Sequence, residues 1–85
     1  MYQRFSTKSP TGTNNLCGSN IKKARLLKDH KYSQRMLADD MQRHGADIDK
    51  NMIQRIEAGQ RYVTDIELQI FANVLNVSVE DLLRQ

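Results

Sequence analysis

From Ser19 onward, apolar residues recur at helical spacing, and each recurrence is preceded by a side chain able to cap a helix start. Ser19 or Asn20 caps a first helix whose apolar face includes Ile21, Ala24 and Leu27, and the pattern fades in Lys28-Asp29-His30-Lys31. Ser33 opens a second helix, with Leu37, Ala38 and Met41 in step. Gly45 can close it, because glycine alone enters the left-handed conformation after a helix without steric cost. Asp49 caps a third helix that turns Ile53 and Ile56 inward, with Ile48 just ahead as a hydrophobic staple and Gly59 at its end. Thr64 and Glu67 read as a capping box, in which hydroxyl and carboxylate satisfy orphan N–H groups reciprocally. It opens a fourth helix where Leu68, Phe71, Ala72 and Leu75 repeat at i, i+3, i+4 and i+7. Ser78 with Asp81 starts a short fifth helix containing Leu82 and Leu83. No stretch alternates with period two over a strand's length. The pattern predicts an all-α fold, five short helices in one domain over residues 20–85.

The start of the chain reads differently. Twelve of its first twenty residues are Ser, Thr, Asn, Gly or Pro with no apolar period, which predicts a flexible arm over residues 1–19. Charge is distributed unevenly as well. Residues 1–20 carry Arg4 and Lys8 and no acid, residues 21–64 hold ten bases and six acids, and residues 65–85 set Arg84 against Asp65, Glu67, Glu80 and Asp81. A chain that is basic in front and acidic behind suits a front half that faces a polyanion. The net charge of +3 is too small to establish such a partner by itself. No apolar run exceeds three residues, as in Ile70-Phe71-Ala72, and no apolar block follows the N-terminus, so neither a membrane span nor a secretory signal is expected. Cys17, the one cysteine, cannot form an internal disulfide, which fits a reducing cytosol and a cytoplasmic protein.

Metal and enzyme chemistry find little to work with. Asp47-x-Asp49-x-Asn51 copies the opening of a calcium-binding EF-hand loop, but Met52 and Ala58 stand where that loop needs glycine and a bidentate carboxylate. A capping Asp beside a loop Asp accounts for the spacing better. Cys17, His30 and His44 lack the paired spacing of a zinc site. Asp39 and Asp40 diverge by roughly 100° on a helix and cannot share a proton. His44 falls four residues after Asp40, the spacing of an exposed ion pair near a helix end. Neither a catalytic site nor a small-molecule cofactor is legible.

The polar faces of the second and third helices say more. With Ile53 and Ile56 buried, Asn51, Gln54, Arg55 and Ala58 point away from the core and Lys50 flanks them at the first turn. Asn and Gln read adenine bidentately, and Arg or Lys reads guanine, so this face carries base-reading side chains. An ordinary solvated face favours the same residues. Ser33-Gln34-Arg35 places a hydroxyl, an amide and a guanidinium at a helix N-terminus, where open backbone N–H groups attract phosphate. Together the two helices form a helix-turn-helix, one helix end-on to the backbone and the next in the major groove.

In these respects the sequence resembles the lambda-repressor-like, or xenobiotic-response-element and Cro-type, helix-turn-helix DNA-binding family of bacterial and phage regulators. The resemblance covers about Ile21 to Leu83. It rests on Ala24-Arg25-Leu26, Tyr32-Ser33-Gln34-x-x-Leu37-Ala38, Ile53-x-Arg55-Ile56-Glu57-x-Gly59-x-Arg61 and Leu75-x-Val77-Ser78-x-x-x-Leu82-Leu83. It implies a compact five-helix domain that binds double-stranded DNA. It further implies phosphate contacts from Gln34 and its neighbours Ser33 and Arg35, and from Arg61 and Tyr62 along the backbone. Base contacts would come from Lys50, Asn51, Gln54 and Arg55, and Arg25 would pair with Glu57. The sequence departs from the usual pattern in a longer connection from Arg25 to Gln34 and a longer turn between the second and third helices. A second helix ending near Gly45, followed by a loop through Asp47, would absorb the latter, as in a similar subgroup with a lengthened turn.

The leading expectation is therefore sequence-specific duplex binding by a small transcriptional regulator with no enzyme activity. A homodimer is compatible with it, since such regulators bind paired half-sites, and the interface would come from the fifth helix or the arm. The competing expectation is a protein-interaction module, such as an antitoxin or adaptor, in which the arm, the acidic tail and exposed apolar residues order on a partner.

Overall fold

The computed structural model describes residues 13–84, and within them the chain forms five helices and no strand. They are α1 (Gly18–Lys28), α2 (Gln34–Arg43), α3 (Lys50–Glu57), α4 (Asp65–Leu75) and α5 (Val79–Leu83). Helix α1 packs against α3, α4 and α5, while α2 packs against α3 and α4. Phe71, Ile21, Leu37, Met41, Ile48, Ile53, Ile56 and Leu82 are fully buried where these contacts meet.

Four of the five helix starts use side-chain caps. Ser33, Asp49, Thr64 and Ser78 each accept an N–H from the third residue onward, and the last two complete capping boxes with Glu67 and Asp81. Helices α2 and α3 close alike. Gly45 (φ +93°) and Gly59 (φ +77°) turn left-handed, and Ala46 N–H reaches Met41 O as Gln60 N–H reaches Arg55 O. The six residues between α2 and α3 form the long turn of this helix-turn-helix. Ala46 and Ile48 anchor it in the core, and Gln42 Nε2 donates to Ile48 O at 2.9 Å, so the extra length leaves both helices seated.

The first helix differs from expectation. It begins at Gly18, with Cys17 as its N-cap residue and no side-chain cap of its own; Asn15 Oδ1 takes the Gly18 N–H instead. Leu27 is 79% exposed, because on a helix it lies roughly 120° from Ile21. The inward positions after Ile21 are Ala24 and Arg25, and Arg25 is the one buried charged residue among those described. The expected arm also needs correction. Residues 13–19 are part of the folded unit, with Asn14 N–H bonded to Gly59 O and Cys17 buried, where burial lifts the thiol pKa to about 11. Residues 1–12, with Arg4 and Lys8, lie outside the described residues.

Buried Arg25 ties three helices together. Its Nε and Nη2 donate to the two carboxylate oxygens of Glu57 at 2.8 and 3.1 Å, and its Nη1 donates to Tyr32 O at 2.7 Å. Gln34 Nε2 adds a bond to Glu57 Oε1 at 3.0 Å. Each side chain of the ion pair is less than a tenth exposed. Removing one partner leaves the other charge stranded, so Glu57→Ala is expected to destabilise the domain by about 3–5 kcal/mol, read by urea unfolding.

A second pair closes the loop after α3. Arg61 Nη1 and Nη2 donate to Glu67 Oε1 and Oε2 at 3.0 and 3.2 Å, and Glu67 also caps Thr64 N–H at 3.1 Å. Partial burial alone would raise the Glu67 pKa. The bonds from Arg61 and Thr64, with the Arg61 charge, outweigh it and hold the carboxyl below its usual value. A group with a lowered folded pKa stabilises above its unfolded pKa and loses that contribution as pH falls. Glu67→Gln is therefore expected to flatten the decline in Tm below about pH 5. An unchanged decline would remove Glu67 as its source.

Candidate nucleic-acid interface

Helix α3 is amphipathic in the simplest sense. Ile53 and Ile56 are fully buried, and Lys50, Asn51, Gln54, Arg55 and Ala58 are exposed. Asp49 Oδ1 accepts Met52 N–H at 2.8 Å, and Ile48 and Ile53 flank this cap in the core. The helix start is thus fixed by one polar and one apolar contact. Lys50, Asn51, Gln54 and Arg55 have no side-chain hydrogen bond or ion pair among the described residues, so their polar groups are open to a ligand. Lys50 and Gln54 are one turn apart, as are Asn51 and Arg55, which places all four along one side of the helix.

Arg35 joins them. A groove of about 460 Å³ between α2 and α3 is lined by Arg35, Ala38, Asp39, Gln42, Asp49, Lys50 and Asn51. Ala38 at its floor leaves the two helices close together. Ser33 Oγ accepts Met36 N–H at 3.0 Å, so this hydroxyl serves as the α2 cap. The N–H groups of Gln34 and Arg35, in the first turn, lie beyond the reach of the helix's own carbonyls. They point out of a helix end that carries partial positive charge. Arg35 is exposed beside them.

Three residues expected to meet phosphate are placed differently from Arg35. The Gln34 amide nitrogen is committed to Glu57, which fixes the side chain and leaves its carbonyl oxygen facing away from that bond. Arg61 is paired with Glu67 and only a quarter exposed, because the guanidinium folds back over the Thr64 cap rather than extending from the loop. Tyr62 stands out from the same loop, 53% exposed. The expected pairing of His44 with the Asp40 carboxylate does not occur. His44 Nδ1 lies 2.9 Å from Asp40 O, while the carboxylate takes the Tyr32 hydroxyl and the Arg43 guanidinium.

Two asparagines beside the end of α3 carry no signal in the sequence. Asn14 and Asn15 bond to the last turn of α3 and the loop after it across more than forty residues, and such partners leave no periodic trace. Among the described residues, no cluster of three or more His, Cys, Asp and Glu side chains is arranged to hold a metal ion. No helix described is long and apolar enough to cross a membrane.

Comparison with known proteins bears on the fold and the family. No curated protein sequence matches the chain. Among solved structures, the restriction-modification controller protein C.AhdI from Aeromonas hydrophila is similar at 25% identity and a TM-score of 0.65, over 76% of this chain and 84% of that one. The helix-turn-helix family model matches residues 21–82, from the first fully buried residue of α1 to that of α5. The chain belongs to this lambda-repressor-like helix-turn-helix family and has the all-α fold of its DNA-binding transcription regulators.

Proposed function

We propose that the protein binds duplex DNA sequence-specifically, with α3 in the major groove and the N-terminus of α2 against the phosphate backbone. The observation that carries this reading is one continuous surface. Lys50 and Asn51 line one groove with Arg35 of α2, and Gln54 and Arg55, one turn on, continue the exposed and unpaired side of α3. Eight residues of helix span roughly 12 Å, a length the major groove accommodates. Asn51 and Gln54 suit adenine edges, and Lys50 and Arg55 suit guanine. Arg35, at a dipole end, suits a phosphate oxygen. The likeness to a restriction-modification controller supports a role in controlling transcription. Arg61, neutralised by Glu67, contributes chiefly by shaping the loop that presents Tyr62.

Self-association fits a second groove, whose lining shares no residue with the groove between α2 and α3. Ala24, Leu27, Leu75, Val77 and Leu82 line an apolar groove of about 690 Å³ between α1 and the α4–α5 end, whose charged rim is Lys23, Lys28, Asp81 and Arg84. Leu83, next to the groove-lining Leu82 in sequence, is also exposed on α5, which carries the acidic Glu80 and Asp81. A second copy would cover the leucines and set its acids against the lysines of α1. Such a dimer presents two α3 helices to paired half-sites.

Duplexes selected by the protein from a random pool provide the test. Asn51→Ala and Gln54→Ala should each lose about 1–3 kcal/mol of discrimination at particular base pairs. Arg35→Ala should weaken all duplexes alike and lower the salt slope by about one. Absence of duplex binding across a salt titration would refute the reading. In sedimentation velocity, the wild type should form a dimer at micromolar concentration and Leu27→Glu should not; a wild-type monomer throughout contradicts the interface.

A further inference from the structure

The C-terminal end of α3 depends on partners that the helix does not supply. Carbonyls in a last helical turn lie open. Asn15 Nδ2 donates to Ile56 O at 3.1 Å and to Arg61 O at 2.8 Å, bridging the helix end and the loop beyond it. Asn15 Oδ1 accepts Gly18 N–H at 2.7 Å, so both ends of this amide are in use. Asn14 adds its N–H to Gly59 O at 2.8 Å and its side-chain nitrogen to Gln60 O at 3.0 Å. Two adjacent asparagines thus hold four carbonyls between Ile56 and Arg61. The approach is close, since a Cβ on Gly18 would lie 2.1 Å from Ile56 O. Backbone meets backbone there, and the segment 13–18 acts as a strap across the end of the helix.

The other anchors of α3 hold its start and its inner side. The Asp49 cap and Ile48 hold its start, and Arg25 grips Glu57 from one side. Ile56 is fully buried in the last turn, and Gly59 N–H and Gln60 N–H bond back to Ile56 O and Arg55 O at 3.0 and 2.8 Å. The strap adds to these contacts by fixing the loop 58–62 on which the turn ends, so its loss loosens the exposed side of that turn while Ile53 and Ile56 stay buried. Gln54 and Arg55 are in that last turn, and Lys50 and Asn51 are not. A recognition surface works only when its side chains are held to within roughly 0.5 Å of the productive geometry.

We infer that Asn15 is a positioning residue for DNA recognition. It fixes the last turn of α3 and so sets discrimination at the base pairs facing Gln54 and Arg55, without touching the duplex. This rests on the DNA-binding reading above. The position calls for asparagine, which offers two N–H donors for two carbonyls and one oxygen for Gly18 N–H. Aspartate keeps the acceptor, loses both donors and sets a negative charge against the negative end of the α3 dipole.

The test compares wild type, Asn15→Asp, Asn15→Ala and Val74→Ala, the last a core truncation in α4 that lowers stability away from the strap. Each full-length variant is titrated with a duplex selected by the wild type and with a random-sequence duplex of equal length, at a temperature where circular dichroism finds it folded. Asn15→Asp is expected to bind the selected duplex about tenfold more weakly, the worth of a weakened bidentate base contact. Its affinity for the random duplex should change by less than about twofold, since phosphate contacts dominate there. Its base preferences should relax at the positions that Gln54→Ala also relaxes, and Val74→Ala should change neither affinity. Asn15→Ala carries the same expectation if the aspartate variant does not fold. Equal binding of the selected duplex by wild type and the Asn15 variants, or an equal loss on both duplexes, overturns the inference alone. A wild type that selects no duplex overturns the DNA-binding reading and the inference together.

Discussion

The Arg25–Glu57 pair fixes the geometry on which the rest of the molecule depends. An ion pair this deeply buried carries a large desolvation cost, and apolar residues of similar volume often serve stability as well. What apolar packing would not supply is a single orientation. The guanidinium fork meets both carboxylate oxygens at 2.8 and 3.1 Å, which sets α3 against α1 in rotation as well as in distance. Gln34 reaches the same carboxylate, and Arg25 also holds the Tyr32 carbonyl just before α2, so the start of α2 is tied to the same node. The two elements that form the proposed DNA-facing groove are therefore positioned by one buried charge.

Around this node, the first helix and the strap before it close the ends of the other helices. Asn15 reaches Ile56 O at the end of α3, Lys28 Nζ reaches Val74 O near the end of α4 at 3.2 Å, and Asn20 Nδ2 reaches Leu82 O and Arg84 O at the end of α5. Helix α4 has no basic residue in its own last turn, so the Lys28 charge complements its dipole from outside. A domain this small buries little apolar surface per residue. Polar closure of three helix ends adds specificity that a larger core would supply by packing.

The legible features of the fold were local ones. Ser33, Asp49, Thr64 and Ser78 announce helix starts because a cap and the N–H it accepts are three residues apart, and Gly45 and Gly59 announce ends because the left-handed turn favours glycine. The outward placement of Lys50, Asn51, Gln54 and Arg55 follows from the burial of Ile53 and Ile56. Features that depend on distant partners stayed hidden. Asn14 and Asn15 look like arm composition until their partners near Gly59 are in place. Leu27 looks like a core residue until Arg25 is seen to take the inward position. Arg61 looks like a free phosphate ligand, because the capping box alone does not disclose that Glu67 also accepts a guanidinium.

The most direct measurement is an amide chemical-shift titration of isotopically labelled protein with a duplex selected from a random pool. The surface described here calls for the largest changes at Gln34 to Met36 and at Lys50 to Arg55, with smaller ones over Gln60 to Tyr62. Changes centred on α4, or none in α3 while the duplex is bound, would contradict it.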